Sequence, residues 1–263
     1  MSIVTLLTDF GYRDWYVGSM KGVILGLAPH CTIVDITHEI PPGDVLRGAL
    51  VLREACRFFP PLSVHVAIVD PGVGTSRKAI VARGGNMFFV GPDNGILSMA
   101  VELFEDKEVR AIEREELFLE RVSDTFHGRD VFAPVAAFLA KGGEMMSLGR
   151  KLSEWVRIPF PEVTYTEAGL EGQVLHVDRF GNGVTNIPEK ELRKIGEISS
   201  LRVSVEGLPH ELRIRRTYAE VPLGSPLALV GSSGFLEIAV NGGDASKLLH
   251  LEPGKTRIRV LLE

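Results

Sequence analysis

Apolar residues in the first half of this chain come in unbroken runs, separated by helix-length amphipathic stretches, and that alternation restricts the fold more than any other feature. IVTLLT (residues 3–8), TIVDIT (32–37) and SVHVAIVD (63–70) read as buried strands. Between them WYVGSMKGVILGLA (15–28) and DVLRGALVLREACRFF (44–59) predict helices, and Asp44 stands where it can cap the second. KAIVARG and NMFFVGPDNG add two strands around the turn signal Gly84-Gly85-Asn86. ILSMAVELFE (96–105) and RDVFAPVAAFLAKG (129–142) predict further helices, the second interrupted at Pro134. Strands with no polar face must be covered on both sides, so the pattern predicts an α/β domain with a mainly parallel sheet flanked by helices.

The texture changes near residue 158. IPFPEVTYTEAGLEG (158–172) has two prolines, two glycines and no helical period, and reads as a linker. Beyond it come QVLHVDRFGN, GVTNI, LRVSVEG, HELRIRR, PLALVG, GFLEIAVNG and TRIRVLLE, with KELRKIGEI as one helical stretch. Short alternating runs punctuated by turns predict a small all-β, barrel-like domain. The expected division is 1–160 for the α/β domain and 161–263 for the β domain.

Composition narrows the partners. The formal net charge is −5, whereas nucleic-acid binders present a basic face, so a small molecule is the expected partner. Cys31 and Cys56 are too few and too scattered for a disulfide framework or a zinc site, and read as buried thiols in a reducing compartment. No apolar run reaches the ~18 residues of a membrane span. The N-terminal MSIVTLLTDFG lacks a basic segment and a long apolar stretch, which predicts a cytoplasmic protein rather than an exported one. The seven histidines show no HxxxH or HxxEH spacing, so no metal is expected.

Ligands of parallel α/β sheets gather at the carboxyl ends of strands. Four predicted strand ends carry polar groups: Thr8-Asp9, Thr37-His38-Glu39, Asp70 and Asp93-Asn94. Asp70 enters the glycine turn of VDPGVGTSRK and Arg77 leaves it. GVGTSRK has neither the spacing of a phosphate-binding P-loop nor that of GxGxxG. Asp9 in TDFG either caps the following helix or accepts hydrogen bonds from a ribose diol. His127 in DTFHGRDVF completes a polar trio with Asp70 and Arg77 if the fold gathers the strand ends. In DRFGNGVTN, Asp178, Asn182 and Asn186 surround either a plain hairpin turn or a site for an amino-acid or nucleoside group. GSSGFLEIAVNGGDAS (231–246) is either a tight loop into a strand or a set of backbone and hydroxyl donors.

Together TLLTDFG, ITHEIPPGD, VDPGVG with Arg77, GPDNG, FHGRDVFAPVAA, DRFGNGVTNI and SGFLEIAVN resemble one family over nearly the whole chain. It is the adenosine-forming S-adenosyl-L-methionine (SAM) hydrolases, or SAM hydroxide adenosyltransferases, related to the SAM-dependent fluorinase and chlorinase. The resemblance implies attack of water or hydroxide on C5′ of the ribose, releasing adenosine and L-methionine without metal or cofactor. It implies a homotrimer, with SAM bound between the α/β domain of one subunit and the barrel-like domain of its neighbour. Asp70, Arg77 and His127 match the catalytic trio, and Asp9 the ribose-binding carboxylate. Asp14 joins the substrate-binding set, and Asp178 and Asn182 match residues near the methionine and adenosine portions. Ser232, Glu237 and the backbone around Val240 match the C-terminal part of the ligand site, and the resemblance implies that Tyr218 packs on the adenine.

Within that superfamily the sequence favours water over halide. The halogenating relatives carry an uncharged residue where this chain has Asp70, and a carboxylate repels a halide. There is also no room between Gly84 and His127 for the fluorinase's extra loop. One departure is Gly43, where relatives often carry an aromatic. The alternatives are a SAM-dependent halogenase using chloride, or a non-catalytic SAM- or adenosine-binding protein.

Overall fold

The computed structural model of the chain describes residues 2–209 and 211–262. His210, the first residue of the predicted run HELRIRR, and Glu263, the last of TRIRVLLE, lie outside them. The chain divides into two compact units, Met1–Pro159 and Phe160–Glu263.

The first unit holds six strands: β1 (Ile3–Thr8), β2 (Thr32–Thr37), β3 (Val64–Ile68), β4 (Ala79–Gly84), β5 (Met87–Pro92) and β6 (Lys107–Ala111). Their order is β2-β1-β3-β5-β4-β6. β2, β1, β3 and β5 run parallel, and β4 pairs antiparallel with β5 and β6. Helices α1 (Tyr16–Leu27), α2 (Val45–Cys56), α3 (Ser98–Val101) and α4 (Ala133–Ala140) cover the sheet. Val4, Leu6, Val64 and Val66 pack with Met20 and Ile24 of α1 and Val135 and Ala136 of α4. The alternate residues Leu7, Ala67 and Val69 pack with Leu52 of α2 and Ala100 of α3. Because successive strand residues face opposite layers, both sets must be apolar, and this produces the unbroken runs in the sequence. Asp44 caps α2, accepting a hydrogen bond from the Arg47 amide at 3.0 Å.

Three local expectations are corrected. ILSMAVELFE forms only the four-residue α3, because Ser98 Oγ bonds Gly95 O and accepts from Ile158 N, and Phe104 packs onto the β4–β5 turn. Pro134 does not interrupt its helix. A π-helical turn over Gly128–Phe132 runs directly into α4, and Asp130 O, which an amide at position 134 would engage, accepts from Leu119 N at 3.0 Å instead. Of the two thiols, Cys56 is buried and Cys31 only partly so.

The second unit is a closed barrel of β8 (Gly169–Val177), β9 (Gly183–Pro188), β10 (Arg202–Val205), β11 (Leu212–Arg215), β12 (Pro226–Val230), β13 (Phe235–Val240) and β14 (Arg257–Leu261). The long β8 closes it, pairing with β14 through Gly169–Gln173 and with β9 through its later residues. Closure leaves the barrel strands without free edges. β7 (Thr164–Thr166) lies on β8, so the predicted linker is in part strand. Helices α5 (Glu189–Ile195) and α6 (Ala245–Leu248) flank the barrel. Leu170, Val174, Ile187, Val203, Ile238 and Ile258 are among the side chains that fill it. Among the described residues no helix is long and apolar enough to cross a membrane.

Candidate active site

The parallel strands β1, β2, β3 and β5 bring their carboxyl ends to one edge of the sheet. Asp70 follows β3 and starts a turn that ends at Arg77. Val73 N donates to Asp70 O, Thr75 N and Thr75 Oγ1 both donate to Gly72 O, and Arg77 N donates to Thr75 Oγ1. Gly74 has φ +77°, and a Cβ there would stand 2.6 Å from the Asp124 carbonyl. Only glycine lets the turn lie this close to the segment leading to His127.

The turn folds Arg77 back onto Asp70. Arg77 Nε lies 3.1 and 3.0 Å from the two carboxylate oxygens, and Nη2 lies 2.5 Å from Oδ2. The same Nη2 lies 2.9 Å from His127 Nδ1. The guanidinium also sits 5.4 Å from the centre of the Phe132 ring. The three residues therefore form one line, carboxylate to guanidinium to imidazole, and the Asp70 and Arg77 side chains are only 6% and 11% exposed. Burial, and after it the Arg77 charge, push the His127 imidazole below its usual pKa. A neutral ring can present Nδ1 as acceptor to Arg77, which places its proton on Nε2.

Asp70 lines a cavity of about 370 Å³ together with Asp9, Phe10, Tyr16, Gly43 and Pro71. Arg77 and His127 back the carboxylate and are not among the lining residues. Asp9 does not cap α1, whose N-cap is Trp15 with no side-chain bond. Instead Asp9 Oδ2 accepts from the Gly43 amide at 2.9 Å, and Gly43 has φ +77°, which disfavours an aromatic residue in this backbone conformation. Phe10 and Tyr16 form an aromatic wall with Phe126. Asp14 is exposed in the loop before α1, away from that lining. Asp93 and Asn94 hold backbone: Asp93 Oδ1 accepts from Val156 N, and Asn94 Nδ2 donates to Val69 O.

In the barrel unit a hollow of about 520 Å³ is lined by Phe180, Asn182, Tyr218, Val240, Gly242 and Gly243. Asp178 shapes its hairpin, accepting from Phe180 N and Asn182 N with Oδ1 and from Asn182 Nδ2 with Oδ2. The hairpin reading of DRFGN holds, and Asn182 of that hairpin also lines the hollow. Asn186 belongs elsewhere: its amide donates to Pro161 O and Glu162 O and accepts from Gln173 N. Glu237 is buried on β13, and burial, then the Asp178 charge, push its pKa up. Burial, and after it the charges of Glu237 and Asp178, raise the Tyr218 pKa as well. Ser232 is exposed, whereas the neighbouring Ser233 buries an Oγ with no hydrogen-bond partner among the described residues. Phe10, Tyr16, Phe180 and Ser233 were missed in the sequence. Each stands within one or two residues of a polar motif, and that adjacency was the available signal.

An α/β unit with a carboxylate pair on one cavity, followed by a barrel unit with a polar hairpin hollow, defines a two-domain small-molecule enzyme class. Residues 4–149 match the SAM hydroxide adenosyltransferase N-terminal domain and residues 172–258 the C-terminal domain of the same name, and the chain belongs to that family. It is 41% identical to an (R)-S-adenosyl-L-methionine hydrolase of Thermus thermophilus, covering 97% of this chain and 98% of the relative. It is 40% identical to one of Salinispora arenicola, covering 95% of each. A crystal structure of an uncharacterized conserved protein from Thermotoga maritima superposes with a TM-score of 0.92 at 39% identity, covering 98% of this chain and 99% of the other.

Proposed function

We propose that this protein hydrolyses SAM to adenosine and L-methionine, with water attacking C5′ of the ribose. The observation that carries this reading is that Asp9 and Asp70 line one cavity, with Asp70 locked to Arg77 and His127 behind it. Asp9 offers two acceptor oxygens to a ribose diol. Asp70 accepts a hydrogen bond from water and takes its proton as the C5′–O bond forms and the C5′–S bond breaks. The sulfonium leaves as a neutral thioether, so no acid is required. Arg77 fixes the carboxylate's orientation, and His127 fixes the guanidinium. Fixed in-line geometry lowers such barriers by several kcal/mol, up to about 7–11 in the best cases.

In the barrel unit, Tyr218 and Phe180 supply aromatic surface for adenine. Asp178 and Glu237 suit the methionine ammonium, since a cation offsets both the burial and the Asp178 repulsion that raise Glu237. Ser232 and the buried Ser233 hydroxyl suit its carboxylate. Each hollow is open alone, and we infer a homotrimer in which the barrel unit of one subunit covers the α/β cavity of the next. The free thiols suit a cytoplasmic enzyme.

Incubation with SAM followed by chromatography tests the reading: adenosine and methionine should accumulate without added metal. In ¹⁸O-labelled water the label should enter the adenosine 5′-hydroxyl. Formation of 5′-chloro-5′-deoxyadenosine in high chloride would make the protein a halogenase, and tight binding without turnover would make it a sensor.

A further inference from the structure

His38 is fully buried beside the Asp9 turn, and no step proposed above uses it. Its Nδ1 lies 2.7 Å from Thr8 Oγ1. That hydroxyl already accepts from Phe10 N at 3.2 Å, which leaves its proton for the imidazole. The His38 carbonyl accepts from Gly11 N at 2.8 Å, and Ile40 N donates to Thr8 O at 3.4 Å. Asp9 is therefore bracketed by neighbours on both sides that are tied to one residue and its immediate neighbourhood. The far side of the ring is braced as well. Nε2 faces Asp35 Oδ1 at 3.1 Å, without the alignment of a hydrogen bond. Asp35 Oδ2 accepts from Lys21 Nζ at 2.6 Å and from Tyr12 OH at 3.3 Å. The Tyr12 ring meets the imidazole edge-on, 5.0 Å between centres at 88°. His38 does not line the cavity, which excludes direct contact with a ligand there. Two of its contacts, Nδ1 to Thr8 Oγ1 and the carbonyl to Gly11 N, flank Asp9 in the chain, while Nε2 faces Asp35 on β2.

We propose that His38 is a positioning residue for Asp9, holding the Thr8–Gly11 turn so that the carboxylate meets the ribose diol. The inference rests on the reading of Asp9 as the ribose-binding group.

The test uses the full chain and two ligands, SAM and a SAM analogue lacking both ribose hydroxyls, read by steady-state kinetics and by calorimetric binding. Loss of one hydrogen bond at Asp9 predicts that His38→Leu raises KM and Kd for SAM about tenfold, with kcat changed less than about twofold. The analogue, which offers Asp9 no hydroxyl, should bind the variant and the wild type equally. Thr8→Val removes the same bond together with the one from Phe10 N, leaves the histidine in place, and should reproduce the pattern if His38→Leu fails to fold. His38→Asn, which keeps an acceptor near the Nδ1 position, should recover most of the affinity. Equal losses for both ligands, or unchanged SAM affinity in Thr8→Val, would overturn the positioning role. Equal wild-type affinity for SAM and the analogue would remove the Asp9 assignment and this inference with it. Absence of adenosine from the wild type would overturn the proposed reaction, while the affinity ratios would still decide the role of His38.

Discussion

At the scale of the residue, the line from Asp70 through Arg77 to His127 separates two functions that a sequence shows only as polar letters. Asp70 faces the cavity, and the other two hold it. Asp70→Asn keeps the shape and loses the proton acceptor, so kcat should fall at least about 100-fold while SAM affinity stays within about tenfold. Arg77→Lys keeps the charge and loses the fork that grips both oxygens, so it should also cost turnover rather than binding. Single-turnover assays beside calorimetry separate the two effects. The depressed pKa of His127 fixes the sign of a pH effect. Its neutral form, which accepts from Arg77, survives as pH falls through the usual histidine value near 6.5 and is lost only below it. The acid limb of kcat should therefore lie below that value. Replacing Arg77 with Met removes the neighbouring charge and should move the His127 NMR titration upward. Asp9, Asp70, Arg77 and His127 could be singled out as candidates because each sits at a strand end or beside a glycine turn, while the roles proposed for them follow the family resemblance. The structural duties of Asp93, Asn94 and Asn186 could not, since their long-range partners are backbone groups 13 to 63 residues away.

At the scale of the element, periodicity revealed what burial imposes and concealed what particular side chains impose. β1 and β3 were legible because both faces are covered, and the barrel strands because one face is. β6 and the brevity of α3 were not, since Ser98 and Phe104 end that helix through tertiary contacts. β3 also carries a buried titratable group the site does not use. His65 is fully buried, bonded to Thr5 Oγ1 at 2.8 Å and stacked 5.1 Å from Phe89, and burial lowers its pKa to about 4. The unfolded chain takes up this proton below about 6.5 and the native one only near 4, so stability is complete above the higher value and erodes as pH falls between them. The loss across that window is roughly 3 kcal/mol. Denaturant melts at several pH values should show it, and the double variant Thr5→Val/His65→Leu should flatten the dependence.

At the scale of the whole molecule, two units with separate cores each carry a hollow lined in part by polar side chains. The fold classes of both were legible in the sequence. The proposed homotrimer rests on the family resemblance, and no periodic pattern in the sequence marks a subunit boundary. Complementation tests it. Asp70→Asn damages only the α/β half-site and Tyr218→Ala only the barrel half-site, so each variant alone should be impaired at low SAM. If the halves come from different subunits, equal co-expression regenerates about one quarter of the sites in intact form. If both halves come from one chain, mixing restores nothing.

One feature of the 70–77 turn reaches beyond catalysis. Acid and base partners that meet in space come from a single octapeptide, so their union requires closure of only a tiny loop, which is entropically cheap. The pair can form while the sheet is still assembling, and His127 needs only to dock onto it.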